Sequence, residues 1–334
     1  MPVRERARPV AASAEELLRS ATSREPLTHT DGKSAVPMER VVIDGSTYVT
    51  KAISPQLDWI SRATGDYGCR VLACWQLGIL DALPACFDHA VVAVAHEPAT
   101  LTTTLLMRDV GRHLVPEGDD PVPLETHRGF LEHMAQLHAS FWGQADALPV
   151  LTPMTTRYTA LTPLTSEVEA ALGNRGGVPG LLPECWAALD AAAPEAARVA
   201  RAVAADPWPL VTALDATPQT FVHADWKMGN LGRHPDGRTI LLDWQWPGVA
   251  PGCVDLAWYL AINAARLPES KEAAIDGYRD ALERHGIVTA DWFDRQMSLA
   301  LLGAFVQLGW NKTTDDQELG WWTDRVLATA RTLD

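Results

Sequence analysis

The chain is predicted to be an α+β protein, with a small strand-bearing N-terminal part and a larger, mainly helical C-terminal part. Three observations predict it. β-branched runs fall before residue 108, apolar residues at three- and four-residue spacing dominate from residue 124 onward, and a Gly-, Asp- and Pro-rich stretch at 116–123 separates the two. With 334 residues the chain exceeds the length of a typical single domain, which allows two lobes sharing a cleft as easily as one large domain.

Composition narrows the class. A hydrophobic content of 47% supports a sizeable core, and no apolar run approaches the roughly 20 residues a spanning helix needs. Met1–Val10 carries Arg4, Glu5, Arg6 and Arg8 with no apolar segment behind them, unlike a secretory signal. The five cysteines are odd in number and lack finger-like spacing, which points to a reducing compartment and away from zinc; a cytoplasmic protein is expected. The formal net charge of −14 disfavours nucleic acid or an anionic membrane as partner and is compatible with a cationic substrate, although it also serves plain solubility. Thirteen tryptophans are more than the core needs, so some are candidates for a pocket.

Taken in order, residues 1–27 read as a charged arm with one helical signal, the capping box Ser13-Ala14-Glu15-Glu16 ahead of Leu17-Leu18. A turn-rich loop at 30–35 leads into the runs 38–43 and 47–53, which flank Asp44-Gly45 and read as a hairpin. After Gly65-Asp66-Tyr67-Gly68, apolar residues at 71, 72, 75 and 79 follow a helical period, and 89–95 and 102–107 are two further strands. Beyond the linker, Phe130, Leu131, Met134, Leu137, His138 and Phe141 define one buried helix face within 124–142. Residues 183–205 form an Ala-rich helix interrupted by Pro194, and 271–285 and 291–309 are two more helices. His127, His133 and His138 do not share one helix face, so their spacing does not favour a metal site.

The chemistry concentrates in Phe221-Val222-His223-Ala224-Asp225-Trp226-Lys227-Met228-Gly229-Asn230, followed by Ile240-Leu241-Leu242-Asp243-Trp244. A polar loop, a turn at Pro235-Asp236-Gly237 and an apolar strand ending in a carboxylate would bring Asp225, Asn230 and Asp243 to one point. Those three groups are what phosphoryl transfer asks for: a carboxylate beside the acceptor hydroxyl, and an amide oxygen and a second carboxylate for Mg²⁺ on the phosphates.

His-x-Asp-x-x-x-x-Asn followed by an apolar strand ending Asp-Trp resembles the aminoglycoside phosphotransferase and choline kinase branch of the protein-kinase-like fold. The resemblance covers about residues 28–260 and implies an N-lobe at 28–110 with a hinge near 107–111 and a helical C-lobe at 111–334. It implies ATP and Mg²⁺ as cofactors, with Asn230 and Asp243 on the metal and Asp225 aligning the acceptor hydroxyl. Lys227 would stabilise the transferring phosphoryl group, or else be a surface charge. Lys51 would pair with the nucleotide phosphates, where the residues alone read as an edge-strand charge that only the downstream motifs lift. Ser34 would lie in a phosphate-covering loop, although that loop is not Gly-rich, and Leu106, Met107 and Asp109 would meet the adenine at the hinge. His223 and Asp255 would be structural, bracing the catalytic loop.

The sequence departs from the family at two places. No glutamate stands on the helix near 70 to orient Lys51; Asp66 is the candidate, and it could equally be a helix N-terminal aspartate. After Asp243 the family often has Trp then Glu, whereas here Trp244 precedes Gln245. Trp244, Trp246, Trp310, Asp315, Asp316 and Trp321 are candidate substrate contacts, with core packing as the other use of the tryptophans. Together these imply an ATP-dependent kinase acting on a hydroxyl of a small molecule such as an antibiotic, amino sugar, sugar or amino alcohol. The alternative is a nucleotide-binding pseudokinase.

Overall fold

The computed structural model describes residues 8–27, 36–149 and 151–333. The chain has an α+β fold and divides into two compact units. The first comprises Met1–Gly118 and Met228–Trp246, the second Asp119–Lys227 and Pro247–Asp334.

In the first unit the strands Ala21–Pro26, Met38–Ile43, Ser46–Ile53, Thr102–Arg108 and Val91–Glu97 lie side by side in that order in one antiparallel sheet. The expected hairpin forms because Asp44 and Gly45 both adopt positive φ, 49° and 74°, the geometry that returns a twisted strand in two residues. Lys51 lies on the central strand, opposite Met38 on one side and Leu105 on the other. Its side chain is buried, so it is not an edge charge.

The N-terminal segment read as an arm contributes an edge strand. Ala21–Pro26 pairs with Met38–Ile43 while all but its first residue are exposed, which is why no apolar alternation announces it. Ahead of it, the Ser13 Oγ accepts from Glu16 N at 3.1 Å and starts the short helix Ala14–Leu17. The Glu16 carboxylate returns to Ala12 N at 2.7 Å, one residue before the position a regular capping box uses. Ala11 bridges to the far strand, its N donating to Val94 O at 2.9 Å.

The segment 228–246 falls in the first unit rather than with the helices that surround it in sequence. Its strands Leu231–Arg233 and Thr239–Leu241 form a hairpin, and the second of them pairs in parallel with Phe87–Asp88. Val115 N also donates to Leu231 O at 2.8 Å.

The second unit is built on helices, among them Leu124–Ser140, Gly177–Ala192, Pro194–Ala205, Cys253–Ile262, Lys271–Arg284, Phe293–Leu308 and Asp316–Ala330. The Ala-rich stretch breaks at Ala193 because Pro194 lacks an N–H and restarts a helix as its first residue. Two short strands, Thr220–Val222 and Gly248–Ala250, pair antiparallel and deliver the chain into and out of the signature loop. Among the described residues no helix is long and apolar enough to cross a membrane.

Candidate active site

In the first unit, a cavity is lined by apolar Ile53, Val71, Val91, Leu105 and Met107 together with polar Lys51, His89, Asp243 and Gln245. The Lys51 ammonium donates to Asp243 Oδ1 and to Gln245 Oε1, both at 2.8 Å. Gln245 is in turn held from behind, its Nε2 donating to Asp58 Oδ2 at 2.8 Å. Asp58 is wholly buried and caps the short helix Trp59–Ala63, accepting from Ile60 N and Ser61 N.

Asp243 adopts φ of +66°, a left-handed conformation that costs most residues but that aspartate tolerates. Asn230 stands at the same end of the hairpin: Leu231 pairs with Leu241, and Leu242 N donates to the Asn230 carbonyl at 2.9 Å. Both residues offer hard oxygen ligands. Among the described residues no group of three or more His, Cys, Asp or Glu side chains could hold a metal. An ion held by one carboxylate and one amide, with phosphate and water completing its shell, is the arrangement that suits Mg²⁺.

Asp66 does not meet Lys51. Its carboxylate accepts from Arg70 N at 3.0 and 3.2 Å and so tethers the start of the helix Arg70–Gln76, the helix-terminal use weighed above. Burial raises its pKa against the opposing pull of Arg70. Leu106 packs on the opposite sheet face with Leu18 and Val41, whereas its neighbours Leu105 and Met107 line the cavity. Strand alternation carries that distinction in principle. Asp109 accepts from Gly111 N at 3.1 Å and from Arg40 Nε at 3.2 Å. Ser34 lies outside the described residues. Trp244 lines the cavity and donates its Nε1 to Leu241 O at 3.0 Å, and Trp246 is buried.

In the second unit, the loop carrying Asp225 is shaped from beneath by the helix Cys253–Ile262. Asp255 is wholly buried and accepts from His223 N at 3.0 Å, Ala224 N at 2.6 Å and Trp226 Nε1 at 2.9 Å. His138 Nε2 lies 3.1 Å from the same carboxylate and its Nδ1 2.6 Å from the Tyr278 hydroxyl. These bonds hold Ala224 at φ +62° and turn the next residue, Asp225, out of the strand path. One turn on from Asp255, Trp258 donates its indole N–H to Asp225 Oδ1 at 3.1 Å. Asn263 fixes the following carbonyl, Trp226 O, at 2.8 Å. Gly252 must be glycine, since a Cβ there would come within 2.7 Å of the Tyr278 hydroxyl and 2.9 Å of His138 Nδ1. Lys227 is half-buried on the same loop.

Three of the four C-terminal candidates are tied into the helices around them. The Trp321 ring carries Arg325 at 3.8 Å and Lys271 at 4.8 Å from its centroid, and its Nε1 donates to Glu272 at 2.6 Å. Trp310 is buried and bonds to Gln307 O at 2.6 Å, Asp315 caps the helix Asp316–Ala330, and Asp316 is exposed in its first turn.

Beside them Lys312 is buried, donating to Ala261 O, and burial pushes its ammonium down to about 8 although Glu318 at 3.6 Å pulls the other way. Below that pH both folded and unfolded chains carry the proton and burial of the charge costs stability. Between about 8 and 10.5 only the unfolded chain keeps it, so stability rises with pH. Relative to Lys312→Met, wild type is expected to gain about 3 kcal/mol in unfolding free energy between pH 7.5 and 10.5. Urea unfolding of the two proteins at both pH values checks it.

Asp58 was not legible as a site residue, whereas Gln245 had a signal in its place two residues after Asp243, Leu105 in strand alternation and Trp258 in its place one helical turn after Asp255.

No protein-family model matches the sequence, and no curated protein matches it. At the level of the fold, the chain is similar to choline kinase LicA from Streptococcus pneumoniae, with 10% identity, a TM-score of 0.54, and coverage of 95% of this chain and 97% of that one. A second LicA structure, in complex with AMP, gives 12% identity and a TM-score of 0.52 over 96% of both chains. Overlap with aminoglycoside phosphotransferase APH(4)-Ia in its ternary complex with ADP and hygromycin B is lower, at a TM-score of 0.49, 13% identity, and 95% of this chain and 96% of that one.

Proposed function

We propose that the protein is an ATP-dependent phosphotransferase that phosphorylates a hydroxyl group of a small molecule. The observation that carries this is Lys51: a buried ammonium on a central strand, hydrogen-bonded to Asp243 and lining a small cavity with apolar Val71, Val91, Leu105 and Met107. A lysine is costly to bury without a partner to justify it, and an ammonium beside an apolar slot suits a nucleotide with its phosphates on Lys51 and its base between Val71, Val91, Leu105 and Met107.

In this proposal Asn230 and Asp243 hold Mg²⁺, which neutralises phosphate charge when bound. Asp225 orients the acceptor hydroxyl and takes its proton as the new O–P bond forms, the bond to the β-phosphate oxygen breaks and ADP leaves. Trp258 keeps that carboxylate in one rotamer. Lys227 offers a positive charge to the transferring group. The acceptor class stays broad, and a cationic acceptor is compatible with the net charge of −14.

ADP release by purified protein with MgATP, measured across aminoglycosides, nucleoside antibiotics, amino sugars, simple sugars and choline, tests it. Choline belongs in the panel because a choline kinase shares the fold. Acceptor-dependent ADP release that stops on chelation of magnesium is the expected result. Failure of ATP to bind at all, by calorimetry and thermal shift, would overturn the proposal, and binding without turnover for any acceptor would favour a nucleotide-binding module.

A further inference from the structure

We propose that Asp58 and Gln245 form a two-residue relay that positions Lys51 for the nucleotide, in the place where the family resemblance leads one to expect a helix glutamate. The inference rests on the phosphotransferase proposal, since positioning matters only if Lys51 binds phosphate. It starts from a hydrogen-bond direction. An amide side chain can be turned either way, and here its environment allows one way only.

Gln245 lies between an ammonium and a carboxylate, each at 2.8 Å. With Oε1 toward Lys51 and Nε2 toward Asp58, both contacts are donor to acceptor. Turned over, the NH₂ would face the ammonium and the carbonyl would face the carboxylate, two repulsive contacts in a site where Gln245 and Asp58 are buried and little water screens them. Asp58 therefore dictates that Gln245 presents an acceptor to Lys51. Asp58 is itself immobile, because its oxygens also accept from Ile60 N, Ser61 N and the Ser61 hydroxyl.

The relay explains both departures from the family pattern. A glutamate at position 245 would set a second carboxylate against Asp58 at hydrogen-bond distance, so the neutral amide is what this neighbour tolerates. Asp66 is free to tether its own helix because Lys51 is oriented from elsewhere. Of the three N–H donors on Lys51, one goes to Gln245 and one to Asp243. When a metal draws on Asp243, Gln245 remains to hold the ammonium in place, which a lysine with Asp243 as its one anchor would lack.

Exchanging donor and acceptor tests this. Asp58→Asn alone removes the charge that orients Gln245, and Gln245→Glu alone places two carboxylates in contact. Each single variant is expected to weaken binding of a fluorescent ATP analogue about tenfold. The double variant Asp58→Asn/Gln245→Glu restores one donor-to-acceptor line, with the new amide donating to the new carboxylate and that carboxylate accepting from Lys51. It is expected to bind within about threefold of wild type, because the asparagine Oδ1 still accepts from Ile60 N as a helix N-cap while its NH₂, in the place of Oδ2, gives up only the bond from Ser61 N. Thermal unfolding of all four proteins without nucleotide separates loss of fold from loss of positioning.

Single variants that bind like wild type, or a folded double variant as weak as the worse single one, would overturn the relay while leaving the phosphotransferase proposal intact. A wild-type protein that does not bind ATP would overturn both.

Discussion

Asp255→Ala is expected to lower the unfolding free energy by about 3–5 kcal/mol, the scale of leaving buried partners of a charge unpaired. The carboxylate has no exposed surface and accepts from two backbone amides, an indole and, at 3.1 Å, the His138 imidazole. Burial alone would raise its pKa, but the His138 hydrogen bond, the charges of His138 and His223 and the His223 amide outweigh it and hold the group below its ordinary value. The sign of the pH effect follows. Its stabilising contribution is complete above the unfolded carboxylate pKa near 3.8 and is lost as pH falls through the lower folded value. The gap between wild type and Asp255→Ala is thus expected to be full at pH 7 and to narrow in acid below pH 4. Denaturant unfolding at pH 7 and at acid pH measures both parts. Asp255→Ala as stable as wild type at neutral pH would show that the loop does not depend on this carboxylate.

The parts of the molecule that were legible in sequence are those where a local pattern and a local cause coincide. The Asp44-Gly45 hairpin was visible because two positive φ angles in succession demand such residues. The helix Leu124–Ser140 was visible because its apolar face repeats at helical spacing and is buried. The edge strand Ala21–Pro26 was hidden because exposed residues carry no alternation, and only pairing with Met38–Ile43 makes them a strand. The candidate site divides the same way. Lys51, Asp225, Asn230 and Asp243 stand out through motif and order, and Lys51 with Asp243 are brought into contact across 192 positions of sequence. Asp58 carried no signal, because its bond to Gln245 spans 187 positions and depends on how the sheet and the hairpin meet. The missing helix glutamate could be noticed in sequence, but the contacts from Lys51 to Gln245 and from Gln245 to Asp58 could not, because they are tertiary.

Asp225→Asn is expected to lower kcat by about a thousandfold, within the range that a positioned proton acceptor supplies, and to leave nucleotide affinity near that of wild type. The two halves of this expectation come from different bonds. Asn has the same shape as Asp and can still accept from the Trp258 indole through its amide oxygen, so the side chain keeps its place. Asp255 and Asn263 hold the loop's backbone and are untouched by the change. What disappears is the negative charge that, in the proposed reaction, orients and finally receives the hydroxyl proton, which an amide cannot do. A loss of about 4 kcal/mol in transition-state stabilisation with an unchanged KM for ATP is the signature of a group that acts in the transition state alone. Steady-state ADP release with the acceptor found in the panel, together with calorimetric ATP binding, checks the two halves separately. Turnover at the wild-type rate would remove Asp225 from the chemistry, and a parallel loss of ATP affinity would make it a residue that shapes the nucleotide site instead.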